Sequence, residues 1–203
     1  MAKLKLLPPE FYDRPDVVRI ARELIGHYLV TELRGKQTIG KIVETEAYAG
    51  VEDRASHAWN HRRTLRTEVM YGPPGNAYIY LCYGLHHLFN VVTNTADIPH
   101  AILIRALEPI EGLSYMAQRT AKKESDLSLT RGPGNLCRAL GIDRNWNGYS
   151  LFRKPIYLAY GANQITARNI QVTPRIGVDY AGKDAQRPYR FLLKGSPYVS
   201  RVK

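Results

Sequence analysis

The sequence predicts an α+β fold: a single compact domain over residues 1–203, with a mostly antiparallel curved sheet, surrounding helices and a protruding β-hairpin. Three observations predict it. The chain has 203 residues and 44% hydrophobic content, enough for one full core. Its strand-like runs are short and bounded by turn formers, notably Arg34-Gly35-Lys36-Gln37 and Gly84, which join neighbours as antiparallel pairs. No internal repeat, heptad run, low-complexity tract or shift in composition divides the chain.

Taken in order, the first element is a helix over Asp16 to Leu24. Val17, Ile20, Ala21 and Leu24 share one stripe, and Gly26 stops it. His27 to Leu33 and Thr38 to Tyr48 read as paired strands. Within the second, period-two alternation puts Ile42, Glu44, Glu46 and Tyr48 on one face and Val43, Thr45 and Ala47 on the other. These two carboxylates have apolar neighbours and no adjacent cation in sequence. Desolvation should therefore disfavour their charged form and suit them to proton abstraction. An exposed acidic strand edge is the alternative.

Asp53 to Tyr71 is polar, with Arg54, Arg62, Arg63 and Arg66 among His57 and His61, and reads as a loop with short helical turns. Asn76 to Tyr83, Leu88 to Thr95 and His100 to Leu107 read as three meandering strands. In the first of these, Tyr78 and Tyr80 face one way. Tyr83 has the opposite parity, beside Gly84 where the chain reverses. Strand tyrosines are commonly core residues, but an aromatic at a hairpin tip of a basic protein can act as a wedge that unstacks bases.

Pro109 to Lys123 has helical character, with Ile110, Leu113 and Ala117 on one stripe. Leu136, Cys137 and Leu140 mark a further helix, opened by Gly132-Pro133-Gly134-Asn135 and closed by Gly141. Its opening could offer N–H groups to a phosphate, or serve only as a cap. Ile156 to Tyr160 and Ile170 to Pro174 complete the strands.

Lys plus Arg total 29 against 18 Asp plus Glu, a formal net charge of +11, which points to a polyanionic partner. Cys82 and Cys137 are too few for a disulfide framework or zinc cluster, so a reducing compartment is expected. The N-terminal stretch meets Pro8, Pro9 and Glu10 before any secretory apolar run, and no segment is long enough to span a membrane. An intracellular protein with no membrane partner is expected, cytoplasmic if bacterial. The phosphate loop GxxxxGK[ST], HExxH, paired CxxC and GxGxxG are all absent, so ATP, zinc and NAD have no visible seat.

The chain resembles the alkyladenine (3-methyladenine) DNA glycosylase family. The resemblance runs through Ile42-Val43-Glu44-Thr45-Glu46-Ala47-Tyr48, Glu52-Asp53 with His57, Tyr78-Ile79-Tyr80-Leu81-Cys82-Tyr83-Gly84 and Leu103 to Gly112. It continues in Gly132-Pro133-Gly134-Asn135-Leu136-Cys137, Arg175-Ile176-Gly177-Val178, Arg190-Phe191 and Gly195 to Ser200. It implies a monofunctional glycosylase, acting as a monomer on double-stranded DNA, that flips out a damaged purine and hydrolyses its bond to deoxyribose. No metal or organic cofactor is implied. In this resemblance Glu46 matches the general base that activates water, and Arg105 an arginine that positions it. Tyr48, His57 and Tyr80 match the pocket around the extruded base, Asn90 a residue that crowds normal guanine, and Tyr78 their support. Tyr83 matches the intercalating residue. Arg54, Arg62, Arg63 and Arg66 are candidates for backbone phosphates. His86 and His87 depart from the pattern, standing where relatives carry aromatics.

Two other readings of the residues stay open. Glu44, Glu46, Asp53 and His57 could hold a hard cation for a metal-dependent nuclease. The tyrosines could instead serve a non-catalytic nucleic-acid-binding module as stacking platforms.

Overall fold

The computed structural model describes residues 4–163 and 165–200; the first three residues of the N-terminal stretch read above lie outside it. β1 (Tyr28–Leu33) and β2 (Lys36–Tyr48) form a hairpin whose turn is Arg34-Gly35 alone, both at positive φ. Such a turn follows the twist of the strands. Lys36 and Gln37, expected in the turn, are instead the first residues of β2.

β3 (Ala77–Cys82) pairs with β4 (His86–Thr93), and β4 with β5 (His100–Glu111). The sheet order is β3-β4-β5-β2-β1-β7-β6, with β6 (Phe152–Arg153) and β7 (Ile156–Ala159) at one edge. Every pairing is antiparallel. At β2 the sheet forks. β1 pairs with it up to Lys41, and β9 (Arg190–Leu193), itself paired with β8 (Ile170–Thr173), takes over at Glu44, Thr45 and Glu46.

Alternation along these strands builds two different faces. Ala77 and Ile79, Phe89 and Val91, and Ile102 and Ile104 enter the main hydrophobic core. Their neighbours Tyr78, Tyr80, Cys82, Leu88, Asn90, Ala101, Leu103 and Arg105 line a cavity on the other face. The core face is covered by α2 (Val17–Glu23), α3 (Leu113–Thr120) and α4 (Pro133–Leu140), with α1 (Pro9–Tyr12) burying Tyr12 beside them. Asp16, expected inside the first helix, instead caps α2 by accepting the Arg19 N–H, and Gly141 ends α4 in the left-handed region, as the sequence leads one to expect.

Two expectations are corrected here. Pro109 to Glu111 belong to β5, where Pro109 lies opposite Gly40 and Glu111 opposite Ile39. The helix begins only after Gly112 at φ +76, so Ile110 leaves the stripe and is exposed. A Cβ on Gly112 would sit 2.3 Å from the Gln37 carbonyl oxygen, so only glycine makes this joint. The second correction concerns β2. Ile42 does not share the face of Glu44, Glu46 and Tyr48 but packs in the main core with Ala47. Pairing with β5 slips between Ile42 and Glu44 and again before Thr45. A bulge adds one residue and reverses the parity that simple alternation assigns.

Candidate active site

The cavity has a volume of about 460 Å³, within the range of small-ligand pockets. Its walls come from β2, β3, β4, β5, the loop after β2 and the segment between β8 and β9. Beneath one wall lie Glu44 and Glu46, both fully buried. Arg105 bridges them, its Nε donating to Glu44 Oε1 at 2.9 Å and its Nη1 to Glu46 Oε2 at 3.2 Å. Glu46 Oε2 also accepts from Tyr48 Oη at 2.8 Å, and its Oε1 accepts the Ile176 N–H at 2.8 Å. Glu46 does not itself form the cavity surface, but Tyr48, Arg105 and Ile176 all do.

Glu44 has a different set of partners. Its Oε1 accepts from Arg190 Nε at 2.8 Å as well as from Arg105, and its Oε2 accepts the Ser200 N–H at 2.7 Å. Burial opposes its ionisation, but the guanidiniums of Arg105 and Arg190 and the Ser200 N–H outweigh it and hold its carboxyl below the ordinary range. The expectation of an acid disfavoured in its charged form is therefore corrected for Glu44. Its cations are distant in sequence and arrive through β5 and β9. The same carboxylates keep Arg105 protonated against the cost of its burial.

Tyr48 is held from behind. Arg175 places its guanidinium 4.8 Å over the Tyr48 ring and binds both oxygens of Asp53, Nη1 to Oδ2 at 2.5 Å and Nη2 to Oδ1 at 2.8 Å. Asp53 also accepts the N–H groups of Ala49 and Ala55. Burial and the nearby Glu46 charge push the Tyr48 hydroxyl far above its ordinary value, so it stays a donor. Across the cavity, His57 packs edge-on against Tyr80 with centroids 4.6 Å apart, and its Nδ1 lies 2.9 Å from Tyr78 Oη. Burial first, then Arg66 and Arg62, push His57 down to about 4. Asn90 is buried in the wall, its Nδ2 donating to the Tyr78 carbonyl at 3.1 Å.

Tyr83 sits at the tip of the β3–β4 hairpin with positive φ and 92% exposure, at the rim of the same cavity. The four arginine candidates differ. Arg63 is paired with Glu68 and Asp97 and covers Tyr71, and Arg66 stacks on Tyr80. Arg54 covers Trp59, whereas Arg62 has no ion pair among the described residues.

Sequence reasoning names no role for Arg175, Arg190, Ser200 or the Ile176 N–H and gives Asp53 a role only as a candidate metal ligand, although all of them stand in the segments that carry the family resemblance. A faint signal existed in Arg175 and Arg190, cations embedded in apolar surroundings. Among the described residues no group of three or more His, Cys, Asp or Glu could hold a metal ion. The chemistry of the donors agrees, since Glu44 and Asp53 already satisfy guanidiniums and backbone N–H groups. No helix of the described residues is long and apolar enough to cross a membrane.

Comparison with known proteins follows the same lines. A family model described as Methylpurine-DNA glycosylase (MPG) matches residues 10–197. A Desulfitobacterium hafniense protein is 46% identical over 97% of this chain and 99% of its own length. A Chlamydia abortus protein is 47% identical over 93% and 98%, and a Clostridium acetobutylicum protein 44% identical over 96% and 97%. All three carry the name "Putative 3-methyladenine DNA glycosylase". With a family model covering nearly the whole chain and relatives this similar end to end, the chain belongs to the methylpurine-DNA glycosylase family.

Proposed function

We propose that this protein removes alkylated or deaminated purines, among them 3-methyladenine, 7-methylguanine, hypoxanthine and ethenoadenine, from duplex DNA by flipping the damaged nucleotide into the cavity and hydrolysing its N-glycosidic bond. Family membership makes it a hydrolase of N-glycosyl bonds acting on DNA. The observation that carries the rest is the placement of Glu46, buried directly behind three cavity-lining groups that all donate to it.

A carboxylate offers about four acceptor positions. Three are filled here, which leaves one for a water molecule, admitted between Tyr48, Arg105 and Ile176. Glu46 takes a proton from that water as its oxygen attacks the anomeric carbon, and its negative charge stabilises the oxocarbenium character that develops on the sugar. Arg105 orients the carboxylate and the water. The base sits between Tyr48 and the wall of His57 and Tyr80, where a cationic alkylpurine meets aromatic faces. Asn90 narrows the pocket against normal guanine. Tyr83 fills the gap left in the duplex. The acids that a nuclease would use for metal are bound to arginines instead.

Glu46→Gln tests the assignment. It keeps the shape and loses the base, so base release should fall by about 10²–10⁴-fold with lesion binding retained. Lesion-bearing duplexes incubated in EDTA, with released bases identified by mass spectrometry, supply the readout. Free base should appear with the DNA backbone intact. Undiminished turnover in the variant, or strand cleavage that EDTA abolishes, would refute the proposal.

A further inference from the structure

The sequence offers Arg66 only as a candidate for a backbone phosphate, yet its guanidinium turns to the cavity wall. It lines the cavity, with Cζ 4.7 Å over the Tyr80 ring and Nη2 3.4 Å from His57 Nε2. On the opposite side of the imidazole, Nδ1 meets Tyr78 Oη at 2.9 Å. A guanidinium has N–H donors and no acceptor. His57 Nε2 must then be the lone-pair nitrogen, which leaves the ring's single proton on Nδ1, donated to Tyr78 Oη. A second proton on Nε2 would aim an N–H at a cation and lose the only bond that nitrogen has.

We propose that Arg66 is a positioning residue for base recognition, holding His57 as its neutral Nδ1–H tautomer so that the imidazole serves the pocket as a stacking wall and never as a proton donor. The groups acting on the ring agree. Arg66 and Arg62 reach it from its own loop, Tyr78 and Tyr80 from β3, and no carboxylate is among them. Burial, the largest influence, works in the same direction as the two guanidiniums. Burial also keeps Tyr78 and Tyr80 neutral.

Two consequences follow, and both rest on the glycosylase reading above. A cationic alkylpurine stacked on His57 meets no imidazolium even in mild acid. His57 is also excluded as the acid that protonates a neutral leaving base, because Nε2 carries no proton and the Nδ1 proton is committed to Tyr78.

The state of the ring is measured directly by ¹⁵N NMR of His57 in the free protein across pH 5 to 8, in wild type, Arg66→Met and Arg66→Lys. Wild type should show Nδ1 protonated and Nε2 bare throughout most of this range. Arg66→Met should mix the tautomers and raise the proton affinity of His57 by about tenfold, one unit of pKa. Arg66→Lys keeps the charge and should stay close to wild type. On 7-methylguanine duplexes, Arg66→Met should lose roughly a further twofold in single-turnover rate at pH 5 relative to wild type.

A wild-type His57 protonated on Nε2 overturns the proposal. So does an unchanged His57 titration in Arg66→Met; if that variant also loses affinity uniformly with a flatter salt dependence, Arg66 belongs on a phosphate. The NMR arm needs no substrate. Its failure is thus separate from failure of the glycosylase reading, which wild type inactive on every lesion duplex would show.

Discussion

At the scale of single residues, buried ionisable groups make stability depend on pH in a direction that can be worked out. His27, His57 and His100 all have pKa values lowered in the folded protein, with burial the leading cause. Between those lowered values and the ordinary histidine value of 6.5, the unfolded chain binds protons that the folded chain does not. Stability therefore falls as pH drops below 6.5. Glu44 behaves as a depressed carboxylate: its contribution is present above its ordinary value of 4.5 and is lost as pH falls through the lower folded value. Urea midpoints should be flat from pH 8 to 7, decline from about pH 6.5 and decline again below about pH 4.5. His57→Asn should flatten the first decline. Stability that rises on acidification through pH 6 would contradict these assignments. The sequence showed which residues are acids and which are arginines. Which arginine meets which acid was not legible, because Arg105, Arg175 and Arg190 reach Glu44, Glu46 and Asp53 across 59 to 146 residues of chain.

At the scale of elements, the β3–β4 hairpin joins a packed base to an exposed tip. Its strands put alternate residues into the core and the cavity, while its tip carries Tyr83 almost fully into solvent. A tyrosine that exposed contributes little to the fold, so Tyr83→Ala should change the unfolding free energy measured in urea by no more than about 0.5 kcal/mol. Excision from duplex DNA should fall by about tenfold or more if the ring fills the gap behind a flipped nucleotide. Unaltered single-turnover rates and unaltered flipping fluorescence would remove the wedge role. This hairpin was legible because Gly84 and the alternating tyrosines are local signals. The bulge in β2 was not. It has no glycine or proline to announce it, and it follows from pairing β2 with β5 on one side and β9 on the other. The start of α3 was misplaced for a related reason: pairing with β2 extends β5 through residues whose own pattern suits a helix.

For the whole molecule, 29 basic against 18 acidic residues should make affinity for DNA steeply dependent on salt. The structure divides that charge. Arg63 is already neutralised by Glu68 and Asp97, whereas Arg62 has no such partner among the described residues. Arg62→Gln should lower the slope of log affinity against log salt by about 0.9, the contribution of one phosphate contact, and Arg63→Gln should leave it nearly unchanged. Equal slopes for the two variants would show that ion pairs within the protein do not decide which arginines meet DNA. By itself the sequence determined the α+β class, the glycine that ends α4, the reversal at Gly84 and the inventory of acids, tyrosines and arginines, since each of these follows from composition or from neighbours a few residues apart. Only the tertiary structure decided that β9 closes over β2, that Arg105 joins Glu44 to Glu46, and that Arg175 backs Tyr48. Those contacts depend on strand register and on the fork of the sheet at β2, and register is set by burying one face of the whole sheet at once.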